Sequence, residues 1–199
     1  MSLIELLNGN PVIAAVREPE QVDYAASRNV GAVFLLCGEV LDLKRIVGKC
    51  KAAGKPVFIH LELISGLSPD PAGMRYLSHE VHPDGLITTR AQHITLASRE
   101  GLLTIQRLFM LDSLAVKTSI ATARSARPGA VEVLPGVIPR AISSVAGRVG
   151  CPVIAGGLIE SLGDMKAALG AGAVAVSLSK QEFWDASILE YRMQFRSQQ

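Results

Sequence analysis

Two consecutive apolar runs near the end of the chain finish in residue types that suit an anion. Gly156 and Gly157 close the run PVIAGGL, a pattern that on its own is also typical of a tight turn. Ser177 and Ser179 close the next run, GAVAVSLS, and their spacing places both hydroxyls on one face of a strand. Uncovered glycine amides and serine hydroxyls are donors that can hold a phosphate. We therefore predict a phosphate site at these four residues, with Lys180 either adding a charge or remaining solvated.

Charged and imidazole side chains occur in other apolar runs. Period-two alternation in PVFIHLE places His60 and Glu62 on one strand face, where they could bind hydroxyls, transfer protons, ligate a metal or form a polar core layer. No HxH or HExxH spacing supports the metal. Glu132 needs a partner for its charge, and Arg107 in the preceding run is the candidate, either for ligand contact or for a structural ion pair. Cys37 is expected to pack in the core.

Eight short runs rich in β-branched residues alternate with helical periodicity, which is the pattern of a parallel sheet flanked by helices. Polar groups gather near the ends of these runs, where the functional groups of (β/α)₈ barrels lie. We predict an α/β fold, a compact single-domain TIM barrel over residues 1–199. An open, doubly wound sheet with one misassigned strand is the alternative. The runs are VIAAVR, AVFLLC, PVFIHLE, GLITT, LTIQRLF, AVEVLPG, PVIAGGL and AVAVSLS.

Helical segments are predicted between these runs, and glycines precede several of the strands, where a helix end favours positive φ. Residues 64–84 contain Gly66, Pro69, Pro71 and Gly73, and we predict a loop there. The clearest helical segments are residues 20–28, 41–53, 91–100, 112–126, 138–148, 161–169 and 182–195.

Composition argues against several classes of protein. The net charge of +2, without a basic run, lacks the strong signature of a protein that binds nucleic acid through phosphates. Three widely spaced cysteines without a CxxC motif argue against a disulfide framework and a zinc site. No apolar stretch is long enough to span a membrane, and no secretory signal is visible. We therefore expect a cytoplasmic protein with no membrane partner.

The chain resembles the glycerol-3-phosphate-responsive antiterminators, a family of small bacterial regulators of glycerol-use operons. The resemblance runs nearly end to end, and IQRLFMLDS together with EVLPGVIP is its most specific part. The strand ends AGGLI and GAVAVSLS are shared by many phosphate-binding barrels. The remaining matching motifs are VFIHLELISGL, ITTR and the late pair Phe183 and Trp184.

The resemblance implies a TIM barrel that binds glycerol-3-phosphate as its effector and has no other cofactor. It implies a regulator, not an enzyme, that binds and stabilises leader mRNA of glycerol-metabolism operons and so prevents transcription termination. The phosphate would lie on the glycine and serine site. The glycerol moiety would face Arg17, His60, Glu62, Arg107 and Glu132.

The RNA surface is not evident from the sequence, because no known RNA-binding motif is present. Residues 64–84 are the candidate for a loop that changes state with the effector. The number of subunits is open, a homo-oligomer included. Scattered arginines form either a basic surface or solvated helix faces: Arg75, Arg90, Arg99, Arg124, Arg127, Arg140 and Arg148.

Two other functions fit the same residues. One is a TIM-barrel enzyme of isomerase or lyase type that acts on a small phosphorylated metabolite and uses the carboxylates or the histidine for proton transfer. An aldolase that forms a Schiff base is disfavoured, because no predicted strand carries a lysine. The other is a small-molecule sensor that acts through a protein partner without RNA.

Overall fold

Eight parallel strands form a closed barrel in the computed structural model, which describes residues 2–186. Each strand pairs with the next in the chain and the last pairs with the first, so the predicted barrel is confirmed and the open sheet is excluded. The strands are β1 (Val12–Val16), β2 (Ala32–Leu35), β3 (Val57–His60), β4 (Gly85–Thr88), β5 (Leu103–Phe109), β6 (Ala130–Leu134), β7 (Val153–Gly156) and β8 (Ala175–Leu178).

Helices surround the barrel, and those that follow the first strand return the chain from the end of each strand to the start of the next. None of the described helices is both long and apolar enough to cross a membrane. The helices are α1 (Leu3–Leu7), α2 (Gln21–Ser27), α3 (Leu43–Ala52), α4 (Pro71–Tyr76), α5 (Ala91–Arg99), α6 (Ser113–Ala126), α7 (Pro139–Val149) and α8 (Leu162–Gly170).

The barrel interior is a small apolar core that is separate from the larger core between strands and helices. Phe34 and Phe58 meet there edge to face, with ring centroids 5.7 Å apart. Helix α1, which the sequence did not predict, closes the amino-terminal end of this core by burying Leu3 and Leu7. Ser2 and Glu5 cap the helix reciprocally through side-chain and main-chain hydrogen bonds.

The segment predicted as a loop at residues 64–84 is largely helical, and that prediction is wrong for residues 71–81. Asp70 caps α4 by accepting a hydrogen bond from the N–H of Gly73, and a single π-helical turn, Leu77–Val81, follows α4. Met74 is fully buried in the outer core, which anchors the segment. A helix was predicted at residues 182–195. A 3₁₀ turn, Gln181–Phe183, lies at its start, and residues 187–195 lie outside the described part of the chain.

Replacing a core-facing residue of α1 should destabilise the barrel. We expect Leu7→Ala to lower the free energy of unfolding by about 3 kcal/mol, because it leaves a cavity beneath the interior core. The matched control Ile4→Ala, on the half-exposed face of the same helix, should change it by less than about 0.5 kcal/mol. Urea unfolding followed by circular dichroism measures both. Equal losses would show that α1 does not close the core.

Candidate functional site

A buried ion pair lies near the carboxyl-terminal ends of the strands and joins three of them. The Nε atom of Arg107 on β5 donates to Oε2 of Glu132 on β6 at 2.7 Å. The hydroxyl of Ser177 on β8 donates to the other carboxylate oxygen at 2.5 Å. Because the side chain of Glu132 is only 1% exposed, both contacts replace lost water. The predicted partnership of Arg107 and Glu132 is confirmed, while the serine contact was not foreseen.

Gly156, at the end of β7, provides the space in which this carboxylate fits. A Cβ atom there would overlap Oε1 of Glu132 and the hydroxyl of Ser177. The carbonyl of Gly156 accepts a hydrogen bond from the N–H of Gly136 at 2.6 Å. Gly156 does not line the cavity that opens beside the ion pair. Close packing against Glu132 and Ser177 therefore accounts for a glycine at this position.

A cavity of about 520 Å³ opens beside the ion pair at the carboxyl-terminal end of the barrel. Its volume lies within the usual range for small-molecule sites. The amino group of Lys180 at its edge lies 3.7 Å from the carboxylate of Glu160. Among the residues that line the cavity are six of the predicted site residues: Arg17, Arg107, Glu132, Gly157, Ser177 and Ser179.

The loop after β7 borders this cavity with an unusual backbone. Gly157 and Leu158 both have positive φ, +76° and +58°. Glycine adopts this conformation freely, but leucine rarely does, and its side chain is 66% exposed instead of packed. Strain of this kind, worth about 1–3 kcal/mol, is typical of functional loops. The positive φ of Leu158 could not be predicted from the sequence, because leucine has no preference for the left-handed region of backbone conformation.

His60 and Glu62 belong to a separate polar cluster. Strand β3 ends at His60, and the 3₁₀ turn Leu61–Leu63 carries Glu62 off the strand, so the predicted shared strand face is wrong. Glu62 accepts a hydrogen bond from the hydroxyl of Thr88, and its Oε1 lies 3.2 Å from Nδ1 of His93. Neither His60 nor Glu62 lines the cavity. His93 was missed because one histidine in an amphipathic helix gives no distinctive signal.

Burial governs the titration of His60. Its side chain lies in the interior, and the loss of solvent, followed by the positive charge of Arg107, lowers the pKa of His60 to about 4. Glu62 opposes this shift: its Oε2 lies 3.4 Å from Nδ1 of His60. The imidazole is therefore neutral at physiological pH.

Two further kinds of chemistry, a cysteine nucleophile and a metal site, find little support in the structure. Cys37 packs against the outer core as predicted, and burial, with smaller contributions from Glu20 and Glu18, raises the pKa of its thiol. A raised pKa leaves little thiolate to act as a nucleophile. Within residues 2–186, no three His, Cys, Asp or Glu side chains are grouped so as to hold a metal ion.

A closed eight-stranded parallel barrel with a cavity of mixed polar and apolar lining at the ends of its strands defines the chain as a (β/α)₈ barrel. Residues 12–184 match the profile of the family described as glycerol-3-phosphate responsive antiterminator. The chain belongs to this family.

Individual proteins resemble the chain over most of its length. The Escherichia coli K12 protein YgcP is 34% identical over 184 residues, which cover 92% of this chain and 96% of YgcP. The crystal structure of the glycerol uptake operon antiterminator regulatory protein from Listeria monocytogenes is 34% identical, covers 88% and 95% of the two chains and has a TM-score of 0.84. An antiterminator-related protein from Thermotoga maritima is 29% identical, covers 88% and 98%, and has a TM-score of 0.77.

The lowered pKa of His60 predicts a pH-dependent stability. Between pH 6.5 and 4 the unfolded imidazole binds a proton that the native one excludes, so stability falls as the pH falls through this window. The free energy of unfolding of the wild type should fall between pH 7 and 4.5. We expect His60→Gln to make this fall smaller by about 2–3 kcal/mol. Urea unfolding at both pH values measures this. The control His79→Gln, at an exposed histidine, should show the same fall in the free energy of unfolding as the wild type. If His60→Gln also shows this fall unchanged, His60 is not its cause.

Proposed function

We propose that the chain is a sensor of glycerol-3-phosphate that, once loaded, binds leader mRNA of glycerol-metabolism genes and prevents transcription termination. The observation that carries this proposal is the cavity, which places Gly157 and Ser179 from two neighbouring strand ends beside the Arg107–Glu132 pair. Membership of the antiterminator family supports the effector and the regulatory output.

The two kinds of group around the cavity match the two ends of the proposed effector. A phosphate beside Gly157 and Ser179 would have the cations of Arg17 and Lys180 at the same cavity. Glycerol hydroxyls would donate to Glu132, because a carboxylate accepts several hydrogen bonds and Arg107 and Ser177 occupy only part of its capacity. Because Glu160 offsets the charge of Lys180, Arg17 leaves the phosphate end with a net positive charge, while the glycerol end accepts hydrogen bonds.

The arrangement of the acid and base groups favours binding over proton transfer. Both oxygens of Glu132 accept hydrogen bonds from protein side chains, which holds the carboxylate in one orientation. His60 and Glu62, the other proton-transfer candidates, lie outside the cavity lining. A proton-transfer group must reach the proton that it moves, so an isomerase or lyase is the less favoured alternative.

Placing a negative charge in the phosphate site should strongly weaken effector binding. We expect Gly157→Asp to weaken glycerol-3-phosphate binding at least ~100-fold, because its carboxylate would repel the phosphate at close range. Gly101→Asp is the matched control, since Gly101 has φ of +77°, close to the +76° of Gly157, but its surroundings are open. Isothermal titration calorimetry measures both affinities. Equal affinity in wild type and Gly157→Asp would contradict this phosphate site.

Effector-dependent RNA binding is the second expected outcome. In a gel-shift titration with glycerol-operon leader RNA, glycerol-3-phosphate should increase the affinity of the wild-type protein about 10-fold or more, within the usual range of allosteric coupling. Glycerol and inorganic phosphate, added separately, are the controls. A shift that is absent or insensitive to the effector would contradict the regulatory proposal, and consumption of the effector in the same mixture would select the enzyme.

A further inference from the structure

Four exposed arginines occupy the ends of three consecutive helices. In this barrel a helix ends where the next strand begins, so the last turns of α5, α6 and α7 lie at the amino-terminal end, opposite the cavity. We call this set the arginine arc: Arg99, Arg124, Arg127 and Arg148.

Within residues 2–186, the arc differs from three other cations near the same end in having no carboxylate partner. Arg28, Lys49 and Lys51 each form an ion pair with an aspartate. No arginine of the arc has a carboxylate oxygen within 4.0 Å anywhere in residues 2–186; Arg148 donates only to Ser144. The helix dipole favours cations at helix ends, but it does not account for the missing carboxylates.

An open groove of about 500 Å³ lies on the side of the barrel, between the first half of α5 and the last turns of α6, and adjoins the arc at the end of α6. Its lining includes the amide of Gln92 and the hydroxyls of Thr95, Thr122 and Ser125, and Ser125 directly follows Arg124 in the chain. Uncharged donors beside arginines are the groups that contact the phosphates and sugars of nucleic acids. An acidic protein surface would need the cations but not this row of hydroxyls.

The carboxyl-terminal end is the less suitable surface for a polyanion. The segments after β1, β2, β5 and β8 carry carboxylates that would repel phosphates, among them Glu18, Glu39, Asp112 and Glu182. Two of the arginines considered from the sequence, Arg90 and Arg140, also begin helices at this end. The sequence alone could not separate these from the arc.

We propose that the RNA backbone binds along the arginine arc, at the end of the barrel opposite the effector cavity, and continues along the α5–α6 groove on the side of the barrel. This inference rests on the proposed RNA-binding function and locates it. Arginine suits the contact because its planar guanidinium can bind phosphate oxygens in pairs. The contact is mainly electrostatic, so it depends strongly on salt.

Neutralising the arc tests the location. We expect the triple variant Arg99→Gln, Arg124→Gln and Arg127→Gln to bind leader RNA at least ~10-fold more weakly in 0.1 M salt, with the slope of log affinity against log salt reduced by about two. The charge-matched control replaces three exposed arginines away from the arc, Arg45, Arg75 and Arg140, with glutamine. It should bind RNA within about threefold of wild type.

The outcomes separate this inference from the proposed function. Calorimetry with glycerol-3-phosphate should give wild-type affinity for both triple variants, which verifies folding and an intact cavity. If the wild type does not bind leader RNA at all, the proposed function fails. If the wild type binds and the arc variant binds equally well, or if the control loses as much affinity as the arc variant, the location is wrong while the RNA function stands.

Discussion

The structure depends on one buried carboxylate. Glu132 bridges β5 and β8 through Arg107 and Ser177, although it lies above a largely apolar barrel core. Removing either partner would leave a charged or polar group buried without compensation, which costs several times more than the intact contact contributes. Gly156 must lack a side chain because the carboxylate occupies that volume. One charge thus determines residue types on four strands and sets one wall of the cavity.

Much of the fold could be predicted because its signals are local. Each strand is a short apolar run, and a left-handed glycine such as Gly150 ends a helix before the next run. Helix α4 had a local signal too, Asp70 followed by Pro71, but the surrounding glycines and prolines favoured a loop. Helix α1 was missed because five residues are too few for periodicity to show, and its stability comes from the core that it covers.

Contacts within the candidate site could be predicted only where the two residues lie on neighbouring strands. Arg107 and Glu132 lie on adjacent strands and pair directly in register. Because a buried charge needs a partner, their contact could be predicted from the sequence. The contact between Glu132 and Ser177 crosses β7 and depends on the space that Gly156 leaves between them. Glu62 was misplaced because alternation holds only while the backbone stays extended, and the chain leaves the strand after His60.

The effector cavity and the arginine arc lie at opposite ends of the strands, so control of RNA binding requires an element with two arrangements. A polar connection runs from the cavity to the α5 side of the groove. The charge of Arg107 acts on His60, Glu62 links His60 to His93, and His93 contacts Gln92 in the groove lining. Within residues 2–186, Nδ1 of His60 and Oε2 of Glu62 lack hydrogen-bond partners. A second arrangement that satisfied these atoms would gain free energy, and an anion beside Arg107 would weaken the contribution of this cation, which is second to burial, to the lowered pKa of His60.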